Sequence, residues 1–425
     1  DPSPRAGADV RVDRPELVTL NPEADRAESI AGESSRVAEA APIDPAPVVG
    51  APLPALPDLA TAPMPEAPAP TEVVYPQRNE ATRRALVERG GGSERTEEAV
   101  ANALAWLARN QSPDGRWSAR EFERVGGRSG DPARYDFDVA STGLALLCFL
   151  GADHTPTRPG PYQDTVAKGL AWLLECEGEP GDFRQGESMY SQGIATIALC
   201  EGYAMTRDPA LLPPIERAVA FITGARNANV GGWRYEPGQA GDTSVLGWMV
   251  MAMKSAQRCG VEVDPEAMPA AEDWLSLVMD DRWAGRYAYR PGMEATHSMT
   301  AEGMFVQQLL GRDRTDPRMS GSARFVLQEL PRWDAESPTY AWYYATLALF
   351  QHGGGAWTRW NRAISRELVR SQRVDGPAAG SWDPTDRYAR IGGRIYQTAI
   401  CTLSLEVYYR YLPMYVDDPD APDGE

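Results

Sequence analysis

Carboxylate side chains lie at or near the beginnings of several apolar segments. Asp138 begins one such segment, Asp242 begins a second, and Glu302 lies early in a third. If these segments are helices, a carboxylate at the N-terminal end accepts hydrogen bonds from free backbone N–H groups and caps the helix. Carboxylates that converge across a cavity would instead act as general acids and bases. The spacing alone leaves both roles open.

Aromatic residues and one histidine accompany the carboxylates on the same segments. Packed in a core, these rings would only fill space. Around a cavity, their π faces would attract positive charge. The candidate ligand-binding residues are Tyr190, Trp248, His297, Glu302, Tyr340, Tyr343 and Tyr396. For His297, capping or packing is the alternative to ligand binding.

Metal and cofactor sites are not predicted. The chain has five cysteines without a Cys-x-x-Cys pair, and only three histidines. An odd cysteine count without paired spacing indicates neither a disulfide framework nor a zinc site. We therefore expect no metal and no cofactor, and buried cysteines.

The apolar segments belong to a repeat of about fifty residues. Each unit has an amphipathic helix, a turn with glycine and an aromatic residue, and a second helix that is apolar on most faces. A helix that is apolar all round is buried all round. These buried helices are predicted to begin near Asp138, Met189, Asp242, His297, Thr339 and Arg394, and the fifth unit is the least regular.

Helices that alternate between half-buried and buried can form two concentric rings. Short connections make consecutive helices antiparallel, so all buried helices point the same way. The sequence therefore predicts an all-α fold, an α/α toroid of six helical hairpins with inner and outer helix rings. The N-terminal ends of the inner helices would gather on one face. An open solenoid of the same hairpins is the alternative.

Composition divides the chain into three parts. Residues 1–80 are rich in alanine and proline, and we expect a disordered leader or spacer there. Residues 81–415 would form the toroid, and residues 416–425 an acidic tail. The net charge of −18 excludes non-specific nucleic-acid binding, because phosphates would be repelled.

Two strings in the repeat carry a resemblance to known proteins. Gln111-Ser-Pro-Asp-Gly-Arg-Trp117 and the longer Gln372 to Trp382 string resemble the glutamine-to-tryptophan repeats of squalene–hopene cyclases. They also resemble prenyltransferase and squalene-oxidase repeats of the terpenoid cyclase superfamily. The strings at 231–235 and 405–413 resemble uncharacterised bacterial members. The resemblance implies an α/α barrel with a central apolar cavity over residues 97–412.

The resemblance also implies a chemistry to compare with the residues. Class II cyclases protonate an alkene with an Asp-x-Asp-Asp motif, and Asp136-Phe137-Asp138-Val139 matches three of its four positions. Asp138 and Asp242 are therefore the candidate acids. The magnesium and zinc motifs of the related enzymes are incomplete. If the protein is an enzyme, a terpene-cyclase-like isomerase or lyase is expected.

Three functions follow as hypotheses. The first is a toroid that binds an apolar small molecule or lipid, isoprenoid-like, in a central cavity. The second is a non-catalytic, membrane-tethered module that contacts a protein partner through the ring surface. The third is a carbohydrate-active toroid with paired carboxylates. The start at Asp1 and the proline-rich spacer favour an extracytoplasmic or periplasmic location.

Overall fold

The structure, a computed structural model, describes residues 75–280, 282–411 and 414. Within these ranges the regular structure is helical, apart from isolated β-bridges between Met279 and Tyr287 and between Ala288 and Ala295. The predicted all-α class is thereby confirmed. The predicted acidic tail and residues 1–74 of the predicted leader lie outside the described residues.

Six helices form the inner wall of a ring. Neighbouring inner helices pack on one another in chain order, and the sixth packs on the first. Each is apolar on nearly every face because other helices and the ring centre surround it. Their bounds are Asp138–Gly151, Met189–Thr206, Thr243–Arg258, His297–Leu309, Thr339–His352 and Arg387–Leu405. The first five begin within one residue of the predicted positions.

The sixth inner helix is interrupted near its start. Gly393 has a φ angle of +77°, which separates a short N-terminal piece from the continuous helix that follows. A Cβ at this position would clash with the backbone of Ala133, so the interruption lets two chain segments approach closely. The predicted start near Arg394 corresponds to the continuous part.

Six outer helices each lie against the inner ring. In the first, Val100, Ala103, Leu104 and Leu107 form the buried stripe that the sequence predicts. Ser93 caps this helix through a reciprocal pair of hydrogen bonds with Thr96. The outer helices span Glu94–Arg109, Gln163–Glu175, Leu212–Gly224, Ala267–Val278, Pro317–Val326 and Gly354–Ser371.

The turn between outer and inner helix fixes each unit to the next, as the first unit shows. Gly115 has a φ angle of +101°, and a Cβ there would clash with the backbone carbonyl of Lys168 in the second outer helix. The side-chain amide of Gln111 spans the same junction. It donates to the carbonyl oxygens of Gly115 (2.8 Å) and Thr165 (2.9 Å). Trp117 follows and is completely buried.

The last unit uses the same contacts to close the ring on the first. The side-chain amide of Gln372 donates to the carbonyl oxygens of Ala99 (2.7 Å) and Gly380 (3.0 Å). Gly380 has a φ angle of +95°, and a Cβ there would clash with the carbonyl of Asn102. Ala99 and Asn102 belong to the first outer helix. The predicted closed toroid is therefore confirmed over the open solenoid.

The fifth unit departs from the pattern. The aromatic residue of the turn is completely buried in the other five units, at Trp117, Phe183, Trp233, Tyr287 and Trp382. Trp333 is only partly buried, and its turn contains proline and arginine in place of glycine. Its backbone N–H donates to the carboxylate of Glu367 in the sixth outer helix at 3.0 Å, which supplies the link between units.

The two ends of the described chain close the base of the ring, where the inner helices finish. The side chains of Arg78 and Arg410 are completely buried and bind the two carboxylate oxygens of Glu201 at 2.8 and 2.6 Å. Arg410 also donates to the carbonyl of Leu147 at 2.7 Å. Buried ions need such partners. Residues 75–80, which the sequence analysis assigned to the leader, therefore belong to the folded ring.

Candidate functional site

A narrow cavity lies at the ring centre, between the N-terminal halves of the inner helices. Its volume is about 40 Å³, which is room for a few water molecules. Among the described residues its wall contains no carboxylate. The wall consists of Phe137, Ala140, Ser141, Leu144, Tyr190, Ile194, Trp248, Tyr340, Tyr388, Gly392 and Tyr396. Aromatic and aliphatic side chains thus fill most of the ring centre.

Four of the predicted ligand-binding residues, Tyr190, Trp248, Tyr340 and Tyr396, line this cavity. Tyr343 lies behind the wall, where its ring stacks on Trp248 with 5.9 Å between centroids and 13° between planes. Tyr343 therefore supports the wall without forming part of it. The structure also adds Phe137 and Tyr388, which the sequence analysis did not select.

Asp242 lies behind the tyrosines, completely buried at the N-terminus of the third inner helix. Its carboxylate accepts hydrogen bonds from the backbone N–H of Val245 (2.9 Å) and the hydroxyl groups of Ser244 (2.8 Å) and Tyr289 (3.0 Å). The first of these bonds makes Asp242 the helix cap. Burial disfavours the charged form and raises the pKa of Asp242 to about 6.

Hydroxyl groups connect Asp242 with the cavity wall. The hydroxyl of Tyr190 lies 2.5 Å from that of Ser244, and Tyr340 donates to the backbone carbonyl of Ser244 at 2.9 Å. Since Ser244 donates to Asp242, Tyr190 must donate to Ser244 while Asp242 is ionised. The two wall tyrosines therefore direct their O–H groups away from the cavity and present mainly their rings to it.

Glu302 is the second carboxyl group in this buried layer. It accepts from the backbone N–H of Gly247 at 3.1 Å, and the hydroxyl of Tyr340 lies 3.3 Å from its other oxygen. Burial, with a smaller contribution from nearby Asp242, raises the pKa of Glu302 well above its usual range. Burial therefore favours the protonated, neutral form of Glu302 behind the wall.

Asp138 is not part of the cavity lining, and its side chain is partly exposed. It accepts from the backbone N–H of Ala119 at 2.8 Å, and Arg116 lies 3.2 Å from its other oxygen. Burial raises its pKa despite these partners. Its side chain does not cap the first inner helix, so the capping interpretation of Asp138 is wrong. Its carboxylate is held outside the wall.

Glu187, from the next unit, caps the first inner helix instead. Its carboxylate accepts from the backbone N–H groups of Val139 (2.9 Å) and Ala140 (3.3 Å). Burial raises the pKa of Glu187 to about 7. Sequence reasoning missed this residue because a cap supplied by another repeat leaves no local spacing signal.

His297 does not reach the central cavity. Its ring stacks on Phe325 with 4.2 Å between centroids, and its Nδ1 atom lies 3.5 Å from the Glu329 carboxylate. Burial lowers the pKa of His297, so the imidazole is neutral at neutral pH. This histidine lines a separate groove in the fifth unit.

Metal-binding and membrane-spanning features were also sought in the part of the chain that the structure describes. No three histidine, cysteine, aspartate or glutamate side chains there are grouped so that they could hold a metal ion. None of the helices in the same part combines the length and hydropathy that crossing a membrane requires.

Comparisons with known proteins connect the chain to two kinds of enzyme through fold alone. No family model and no curated protein matches it. A variant of the α-1,6-mannanase GH76A of Salegentibacter sp. HEL1_6, in complex with α-1,6-mannotriose, superposes with a TM-score of 0.52 at 10% identity. A variant of the type II terpene cyclase MstE from Scytonema, in complex with merosterolic acid A, gives 0.51 at 13% identity.

The alignments span most of each chain. The mannanase match covers 74% of this chain and 99% of that one, and the cyclase match covers 76% and 98%. At such low identity the likeness establishes the fold class, an α/α toroid, which hosts both carbohydrate and terpene chemistry in these neighbours. The likeness assigns neither chemistry to this chain, so its function must be argued from its own site.

Proposed function

We propose that the ring binds the end of an apolar, isoprenoid-like chain in its central cavity. The supporting observation is the wall, where the rings of Tyr190, Trp248, Tyr340 and Tyr396 face the cavity together with Leu144. Transfer of apolar ligand surface from water into such a site is favourable by roughly 25 cal/mol per Å². The cavity of about 40 Å³ is narrow and therefore fits the end of a linear chain better than a fused ring system.

The buried carboxyl groups favour binding without proton transfer to the ligand. Protonation of an alkene needs an unusually strong acid, whereas burial raises the pKa of Asp242 to about 6 and makes it a weaker acid. Asp138 is exposed enough to meet a ligand, but Arg116 and a backbone N–H occupy its oxygens. Both candidate acids therefore serve the framework in this proposal.

The same geometry weighs against a glycosidase. Glycoside hydrolysis by the usual mechanism requires two carboxyl groups that flank the sugar bond. Asp242 and Glu302 are completely buried, with the wall tyrosines Tyr190 and Tyr340 hydrogen-bonded around them. A sugar in the cavity would also meet few polar partners, which is unfavourable for its hydroxyl groups.

The proposal is tested by ligand binding to the full chain. Farnesol is titrated into the protein and its binding is followed by isothermal titration calorimetry, with α-1,6-mannotriose as the second ligand. Native mass spectrometry after mild extraction reports any lipid that co-purifies. Ala140→Phe places a ring in the cavity wall, and Ala210→Phe is the matched control at an exposed turn.

Saturable farnesol binding that Ala140→Phe weakens by at least about tenfold, and that Ala210→Phe leaves unchanged, would support the proposal. Binding of mannotriose in preference to farnesol would contradict it and favour the carbohydrate-active toroid. An empty ring that binds neither ligand would also contradict it, and would favour the protein-interaction module. Conversion of bound farnesol to an isomer would contradict the absence of proton transfer.

A further inference from the structure

A second, larger recess opens in the fifth unit, and we call it the fifth-unit groove. Its volume is about 240 Å³, compared with about 40 Å³ at the ring centre. Trp342 and Ala341 of the fifth inner helix line one side, and Val326 of the fifth outer helix lines another. Trp360 of the sixth outer helix completes the apolar part. The groove shares no lining residue with the central cavity.

The groove occurs where the repeat is irregular. In the other five units the aromatic residue of the turn is completely buried, whereas Trp333 is only partly buried. Trp333 packs beside Trp342, with 6.1 Å between ring centroids, and lies outside the groove lining. The turn 330–338 follows a different path and leaves the groove open. The departure from the repeat and the recess therefore occur at the same place in the ring.

Carboxylates surround the aromatic part of the groove. Glu329, Asp334 and Glu336 contribute to the lining, whereas Arg332 is its single guanidinium group. Arg390 lies 3.6 Å from Glu336 and neutralises part of this charge. The lining itself carries three carboxylates and one guanidinium group, in a chain whose net charge is −18. Arg390 and Arg286, whose charge acts on His297, lie outside this lining. The field of such a concave site concentrates small cations.

Aromatic faces and carboxylates together define the chemistry that the groove recognises. Indole is the strongest cation–π partner among the side chains, and its effect grows where the cation is desolvated. Trp342 is 6% exposed, so a cation above it would lose part of its hydration. The neutral ring of His297 adds no opposing charge. An uncharged apolar ligand would gain nothing from the carboxylates.

We propose that the fifth-unit groove binds an alkylammonium group. The group belongs either to a small quaternary amine or to a lysine side chain, and both end in a positively charged nitrogen on an alkyl stem. This site is independent of the function proposed for the central cavity. Loss of farnesol binding would therefore leave it unaffected.

The test is calorimetric titration of the full chain with choline chloride, Nα-acetyl-lysinamide and the uncharged choline analogue 3,3-dimethylbutanol. Choline or the lysine derivative is expected to bind saturably, and whichever binds more tightly identifies the source of the head group. The uncharged analogue is expected to bind at least about tenfold more weakly, because it lacks the cation–π and carboxylate attraction.

Variants locate the binding in the groove. Trp342→Leu, and separately the double change Glu329→Gln with Asp334→Asn, are each expected to weaken binding about tenfold. Trp283→Leu and Glu262→Gln are the matched controls, since both residues are exposed and lie outside the groove. The controls should leave binding unchanged.

Three results would overturn the proposal. They are the absence of saturable binding by either cation, equal binding of the uncharged analogue, and cation binding that persists in the Trp342→Leu and carboxylate variants. The helical circular-dichroism signal and the melting temperature of the same variants serve as a check on folding. A variant that keeps both but no longer binds the cation has lost the groove and kept the ring.

Discussion

Replacing Asp242 by asparagine is expected to stabilise the ring at neutral and alkaline pH. Asparagine keeps the side-chain oxygen that accepts from the backbone N–H of Val245, so the helix cap survives. Its amide N–H₂ can donate to Tyr289, whose hydroxyl is already paired with that of Tyr235 at 2.7 Å. The variant therefore imitates the neutral form of Asp242 and cannot ionise.

The magnitude follows from the pKa of the buried carboxyl group. Burial raises the pKa of Asp242 from 3.8 to about 6, so the folded chain binds its proton more tightly than the unfolded chain does. The native protein therefore loses stability as pH rises from about 4 to about 6, and the full loss of about 3 kcal/mol persists above that range. Asparagine avoids this loss.

Urea-induced unfolding, followed by tryptophan emission, measures the difference between the Asp242→Asn variant and the native chain. The variant should be more stable by about 3 kcal/mol near pH 8 and by about half as much near pH 5. Asp273→Asn is the matched control, because Asp273 is exposed on the fourth outer helix. The control should show no such pH-dependent gain.

The opposite result would refute this reasoning. If Asp242→Asn is less stable than the native chain near pH 8, the ionised carboxylate is held favourably by Ser244, Tyr289 and Arg234. The Nε atom of Arg234 lies 3.6 Å from the carboxylate. A constant difference between pH 5 and pH 8 would likewise show that burial does not control the titration of Asp242.

Two further predictions concern closure of the ring. Gly380→Ala should lower the free energy of unfolding by more than about 2 kcal/mol, because φ is positive there and the added Cβ would clash with the carbonyl of Asn102. Gly376→Ala is the control, since Gly376 also has positive φ but no atom near the added Cβ. In a thermal melt the control should cost about half as much stability. Arg78→Met should cost about 3–5 kcal/mol, since it leaves Glu201 buried with one cationic partner; if the melting temperature is unchanged, the base network does not hold the chain end.

Much of the architecture could be predicted because it depends on the local periodicity of apolar residues. The starts of the inner helices follow from segments that are apolar on every face, and six such segments imply six hairpins. The turn residues Gly115 and Trp117 predict where one hairpin ends. The weak match around Trp333 predicts an irregular fifth unit. These features depend on residues within a few positions of one another.

The features that could not be predicted depend on contacts between different repeats. Glu187 accepts from the backbone N–H of Val139, forty-eight positions earlier in the chain, and so caps the first inner helix. Arg78 and Arg410 meet at Glu201 across the base of the ring. The sequence places His297 and Glu302 on one helix but cannot say which faces the centre. The fold directs Glu302 behind the central wall and His297 into the fifth-unit groove.

The sequence by itself thus determined the repeat, the helical class and the candidate carboxylates, since local patterning specifies each of them. Only the tertiary structure decided that Asp242 is buried behind tyrosines, that aromatic side chains fill the ring centre, and that the fifth unit leaves a groove. Burial and distance set the pKa of a carboxyl group and the shape of a cavity. Both depend on residues that the chain brings together only when the ring closes.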